Sequence, residues 1–296
     1  MTKTKYEERH NPIRDTRQCY LGGVSGALVF VWCAAAALGA SADGGGGGGG
    51  FTVAIDAGHG GTNLGTAAPR GDEGRTVYEK HVTLDLARRV RGRLAVSDAA
   101  VKVVLCRDRD VLQPIRARVR CANAAGARLF LSLHANSSPE GPTRGSQRGF
   151  ELYVLPPEDV DQDVAAAQLA AADDVAAAWS AHRVRAAAEE SAAAARRIQL
   201  RLGEALGASS DRGIKQTGAA LDVLRGANMP AVLVEVGFLD HREEGAVLAS
   251  VEGRETIATA LAKAISDWRI RDARGVSAMA APAGPARGGR ATPAPR

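Results

Sequence analysis

The sequence predicts an α/β protein: a single domain with a twisted, mostly parallel central sheet, helices on both faces, and an Ala-rich helical insertion. Two observations carry this. Short apolar runs alternate with stretches whose apolar residues recur every three or four positions. Several of the runs, such as Leu129-Phe130-Leu131 and Val232-Leu233-Val234, are apolar at consecutive positions, as expected of strands buried on both sides.

The chain opens with a polar, basic stretch over residues 1–18, followed by an uncharged run from Cys19 to Ala42. That run has an apolar centre at Leu28-Val29-Phe30-Val31-Trp32 and ends in Ala40-Ser41-Ala42. A basic region, an apolar region and an A-x-A-like site, in that order, describe a secretory signal. The run is also long enough for an uncleaved single-span anchor. Both readings of residues 1–42 place the chemistry outside the cytoplasm, in the periplasm or cell envelope. A Gly-rich linker follows over residues 43–50. The folded domain is expected over 51–268.

Within it, strands are expected at Thr52–Asp56, Val101–Cys106, Leu129–His134, Phe150–Leu155, Ala220–Leu224 and Ala231–Val236. Helical stripes run through Val82/Leu86/Val90/Leu94, Leu112/Ile115/Val119/Ala122 and Ile257/Leu261/Ile265/Trp268. Residues 157–208 are rich in Ala with interspersed charges, so one long or two shorter helices are expected there, with 158–190 an insertion. Residues 269–296, made of Ala, Pro, Gly and Arg, read as a disordered tail.

The net charge of +5 is uneven: residues 1–18 carry +2 and 269–296 carry +5, leaving the remainder slightly acidic. A basic balance confined to the ends does not describe a nucleic-acid groove, so no nucleic-acid partner is expected, and membrane contact only through the N-terminal segment. Four cysteines without CxxC spacing make neither a disulfide scaffold nor a zinc knuckle. Cys106 and Cys121 either pair in an oxidising compartment or stay as buried thiols.

Chemistry-bearing residues cluster around strand ends. Val53-Ala54-Ile55-Asp56-Ala57-Gly58-His59-Gly60-Gly61 is an apolar strand ending in a small-residue turn that presents His59. Asp56 sits where a carboxylate could orient a metal-bound imidazole. The same glycines could cradle phosphate, but the Lys-Ser/Thr of a P-loop is missing. Glu79 directly precedes the first helical stripe, where a carboxylate also suits the helix dipole. His134 ends a strand, as a metal ligand or as a satisfied core histidine. Glu235 lies inside an apolar strand, where an ionised carboxylate costs several kcal/mol unless it meets a partner or a metal. Two histidines and a glutamate with a fourth position open form a known catalytic zinc set, and a nearby free carboxylate would move protons for amide hydrolysis.

Taken together, Asp56–Gly61, Glu79-Lys80, Arg107–Asp110, Ser132–Asn136, Gly149–Tyr153, Gly213–Gln216, Val223–Arg225 and Val234–Leu239 resemble the zinc-dependent N-acetylmuramoyl-L-alanine amidases of the amidase-3 type. The resemblance runs from about Phe51 to Trp268 in the family's order. It implies Zn2+ held by His59, Glu79 and His134, with Glu235 as catalytic acid/base. Asp56, Asn136 and Arg225 would support the ligands or bind substrate. The substrate implied is peptidoglycan, cut between N-acetylmuramic acid and the L-alanine of its stem peptide. Glu79 is preferred to Glu73 as ligand because Lys80 and the helix start fix its direction; His81, two residues on, would point elsewhere. Residues 158–190 match the place of a helical segment that covers the centre in some members until a partner removes it. Such an activator protein is expected to act on 158–190, with Glu189 or Glu190 near the metal; a plain surface helix is the alternative. A stem-peptide peptidase and a wall-binding module without catalysis are the rival readings.

Overall fold

The computed structural model describes residues 50–69, 76–216 and 219–280. The expected leader, most of the Gly-rich linker, Glu73 with its neighbours, and the chain beyond Ala280 lie outside the described residues.

Six strands form one mixed sheet among them: β1 (Phe51–Ala57), β2 (Val101–Leu105), β3 (Leu129–Asn136), β4 (Phe150–Tyr153), β5 (Asp211–Lys215) and β6 (Ala231–Phe238), in the order β2-β1-β3-β6-β4-β5. The first three ladders, β1 with β2, β1 with β3 and β3 with β6, are parallel. β4 then runs antiparallel to β6, and β5 follows β4 in parallel. The carboxyl ends of β1, β3 and β6 therefore share one edge of the sheet, where sites in open α/β sheets form.

Alternation along the strands gives the sheet two different faces. One is thickly covered: Val53, Ile55, Leu131, Leu133, Val232 and Val234 pack beneath α1 (Glu79–Ser97), α4 (Asp174–Leu206) and α6 (Val251–Ala280). The stripes Leu86/Val90/Leu94 and Leu261/Ile265/Trp268 supply that cover. The other face is apolar only at Ala54, Phe130, Ala231 and Leu233, beneath α2 (Ile115–Ala124) and the segment around Leu221–Leu224. On this face the next positions toward the carboxyl ends are Asp56, Ser132, His134 and Glu235.

Several expectations are corrected. Ala220–Leu224 is not a strand: residues Ala219–Val223 form a 3-10 turn, and Leu221, Val223 and Leu224 are apolar because they bury against α2. A strand not foreseen, β5, lies at the sheet edge, with polar residues at most positions. α2 begins only after Pro114, leaving Leu112 and Ile115 exposed. α6 continues past Trp268 to Ala280, where a disordered tail was expected from 269. Cys106 and Cys121 pair, with 5.7 Å between their Cα atoms. A bridge across a sequence separation of 15 contributes roughly 3 kcal/mol in the chain-entropy account.

The Ala-rich stretch forms a helical hairpin of α3 (Pro157–Leu169) and the first half of α4, closed on its own small core of Val160, Val164 and Ala181. Asp173 caps α4 by accepting from Ala176 N at 2.8 Å. Asp163 accepts from Gly226 N at 2.7 Å, which fastens the hairpin to the segment entering β6. The second half of α4 rejoins the main core through Ala194, Ala195, Ile198 and Leu202.

Candidate active site

The turn after β1 brings His59 over the carboxyl ends of β1 and β3. Gly58 lies so close to His134 that a Cβ there would stand 2.6 Å from Nε2 of its ring. His59 adopts φ 61°, a left-handed conformation rare for a residue with a side chain and worth about 1–3 kcal/mol of strain. Its Nδ1 donates to Asn63 Oδ1 at 2.8 Å, which leaves the Nε2 lone pair facing inward. Asn63 Oδ1 also accepts from Gly65 N at 3.3 Å.

Glu79 enters from the first turn of α1, almost fully buried. Its Oε1 lies 3.0 Å from His59 Nε2 and 3.0 Å from His134 Nδ1. Two backbone amides hold the same carboxylate, Ala135 N on Oε1 and Thr66 N on Oε2, each at 3.0 Å. Burial alone would raise its pKa, but the two imidazoles outweigh burial and hold it at about 2. Burial likewise disfavours charge on His134, yet the Glu79 carboxylate wins and raises its pKa. Ligand atoms of His59, Glu79 and His134 all lie within 4.8 Å of one another. Two imidazoles and a carboxylate at that spacing suit a divalent ion.

Glu235 stands beside His134 in the β3–β6 ladder, on the same face. It is 8% exposed, and among the described residues its Oε2 has no hydrogen-bond partner. Burial, with the carboxylates of Glu79 and Glu151 nearby, pushes its pKa up to about 8 against the opposing pull of His134. A buried carboxyl left unpaired next to a metal-competent cluster is free to take and return a proton.

The remaining expected residues make other contacts. Asp56 touches neither imidazole: its Oδ1 accepts from Arg118 at 2.7 Å and its Oδ2 from Ser132 Oγ at 2.9 Å, and Arg118 in turn reaches the backbone of His59. Asn136 bends back on its own chain, accepting from Ser137 N at 2.8 Å. Arg225 is not at this site: it pairs with Asp159 and Asp222, and its neighbour Gly226 accepts from Asn123 at the far end of the strands. The hairpin over 158–190 also belongs to that far end, so it does not cover the cluster. Glu190 pairs there with Arg271, and Glu189 is exposed. His81 is exposed and stacks on Tyr78, as its helical offset from Glu79 requires.

Three contributors had no individual role in the sequence reading: Asn63, Arg118 and Glu151. Glu151 carried a signal like that of Glu235, an acid inside the apolar run Phe150–Tyr153. It is 2% exposed and held by Arg212, Lys215 and Tyr153.

An open α/β sheet with two imidazoles and a carboxylate converging at its carboxyl edge, beside an unpaired acid, has the make-up of a metallohydrolase domain. The chain belongs to the amidase-3 family of N-acetylmuramoyl-L-alanine amidases, whose profile matches residues 53–267. It is 31% identical to the endolysin of Bacillus phage SPP1 over 216 residues, which cover 72% of this chain and 64% of that protein. It is 30% identical to the N-acetylmuramoyl-L-alanine amidase LytC of Bacillus subtilis over 71% of this chain, which spans 34% of LytC. These two relatives are thus matched over less than two thirds of their own length. Among solved structures, the catalytic domain of the amidase CwlV from Paenibacillus polymyxa superposes with a TM-score of 0.54 at 28% identity. That match covers 74% of this chain and 97% of the CwlV domain.

Proposed function

We propose that this protein is a zinc-dependent peptidoglycan hydrolase that cleaves the amide between the lactyl group of N-acetylmuramic acid and the L-alanine of the stem peptide. The observation that carries the reading is the convergence of His59, Glu79 and His134, with Glu235 adjacent on the next strand. His59, Glu79 and His134 would hold the ion. Zinc bound there supplies Lewis acidity toward water and the amide carbonyl. Glu235 receives the proton of the attacking water and delivers it to the departing alanine nitrogen. Its raised pKa in the metal-free site suits the second half of that task, delivery of the proton to the amine, and the charge of a bound divalent ion would lower it so that the carboxylate can take the water's proton first. Glu79 stays ionised throughout the neutral range and holds both imidazoles in position.

Export to the periplasm or envelope rests on the order of basic, apolar and small residues in 1–42. A partner acting on 158–190 would bind at the end of the sheet remote from the cluster, and would have to act without uncovering it.

The test is zinc content together with product analysis on purified muropeptides. An intact stem peptide released from the sugar supports the amidase; a shortened peptide still attached to the sugar supports a peptidase instead. Protein without bound zinc or product returns the chain to a wall-binding role.

A further inference from the structure

The strand β2 ends at Leu105, two residues before the turn after β1 needs partners, so the carbonyls beyond that point have no ladder to join. Side chains replace it. Ala57 O accepts from Arg107 Nε at 2.7 Å and from Arg118 Nη1 at 2.8 Å. Gly58 O accepts from Arg107 Nη2 at 3.0 Å and from Thr83 Oγ1 at 2.9 Å. His59 O accepts from Arg118 Nη2 at 2.7 Å. Arg107 Nη2 also reaches Lys80 O at 2.9 Å, one residue beyond Glu79. Both guanidinium groups are buried, at 1% and 5% residue exposure, although among the described residues Asp56 is the one carboxylate that either contacts. Packing two cations together under a turn carries an electrostatic cost: burial and the Arg118 charge push the Arg107 pKa down.

Their attachment points are joined as well. Cys106 directly precedes Arg107, and Cys121 lies one helical turn after Arg118, so the disulfide staples together the two segments that carry the arginines. We propose that Arg107 and Arg118, locked by the Cys106–Cys121 bridge, are positioning residues that preset the metal centre by holding His59 in its left-handed conformation and, through Lys80 O, the first turn of the helix that carries Glu79. The inference rests on the reading that His59, Glu79 and His134 bind zinc.

The experiment measures zinc affinity by competition with a chromogenic chelator, alongside thermal unfolding of each metal-free protein. Arg118→Lys keeps the charge but cannot span Asp56, Ala57 O and His59 O at once; its zinc affinity is expected to fall roughly 10–100-fold. The Cys106→Ala/Cys121→Ala double variant leaves every site residue in place and is expected to lose about 10-fold. Arg225→Ala, which breaks an ion pair at the far end, serves as the destabilised control and should bind zinc as wild type does. Wild-type affinity in both Arg118→Lys and the cysteine variant overturns the clamp alone. An affinity loss in Arg225→Ala equal to theirs also overturns it, because general destabilisation then suffices. A wild-type protein that takes up no zinc overturns the functional reading, and the clamp with it.

Discussion

Glu235 and Glu151 stand opposite each other across the antiparallel ladder between β6 and β4, and Arg212 and Lys215 both pair with Glu151. Lys215, Arg212 and the Tyr153 hydroxyl satisfy Glu151 and hold its pKa below the usual value against its burial. Glu235 receives no such partner, and its pKa climbs to about 8. Two equivalent carboxylates one strand apart are thereby assigned different roles by their surroundings, the pattern that marks acid/base residues.

Replacing Glu235 with Gln should leave zinc content unchanged, because the residue is not among the three converging ligands. Turnover of muropeptides should fall by a factor of at least ~100. Metal analysis and product chromatography on the same preparation check both halves.

The metal-free protein should lose stability as the solution becomes more alkaline. Glu235 holds a proton in the folded state up to about pH 8, whereas the unfolded chain releases it near its ordinary value of 4.5. Between those values the folded form binds more protons, so stability declines with rising pH, by as much as about 5 kcal/mol from this group. His134 acts in the same sense, since its folded pKa is raised. Glu79 has the opposite sign: its pKa of about 2 contributes stability present above 4.5 and lost as pH falls toward 2. Denaturant titrations in the presence of a chelator should show the decline, and Glu235→Gln should flatten it without abolishing it.

Gly58→Ala should damage the centre more than the fold. The added Cβ falls on the His134 ring, and the backbone on both sides is clamped, so the imidazole must move. Zinc affinity should drop at least ~10-fold, with a stability loss of roughly 1–3 kcal/mol. Wild-type affinity in this variant would contradict the close approach of the turn to β3.

Arg225→Ala and Glu190→Gln should leave turnover within about two-fold of wild type. Each loses an ion pair, with Asp159 and with Arg271 respectively, at the end of the sheet remote from His134. Arg225 is the more enclosed, so its removal should cost about 1–3 kcal/mol, seen as a lower melting temperature. A large rate effect from either would place the hairpin nearer the centre than its contacts do.

Most strands and helices were legible because their signals are local. β1, β3 and β6 are runs of apolar residues that the chain cannot leave exposed, and the α1 and α6 stripes have one face each to bury. β5 escaped because Asp211-Arg212-Gly213-Ile214-Lys215 is polar and sits at a sheet edge, where one apolar residue suffices. The segment around Leu221 misled for the converse reason: apolar content reports burial, and a turn can be buried as completely as a strand.

Residue types at strand ends named His59, Glu79, His134 and Glu235 only when read together and with the family resemblance, since each histidine or acid alone also fits a capping, surface or core role. Which partners those residues meet depended on segments distant in the chain. Arg118, 59 residues after His59, supports its backbone, and Glu151, 84 before Glu235 and opposite it, is the carboxylate that Arg212 and Lys215 pair with. Arg225 and the 158–190 hairpin were misplaced for the same reason: a charge or an amphipathic helix carries no address until the sheet order is known. Composition and period are properties of a short stretch, whereas the pKa of a carboxyl and the strain of a turn are set by what packs against them.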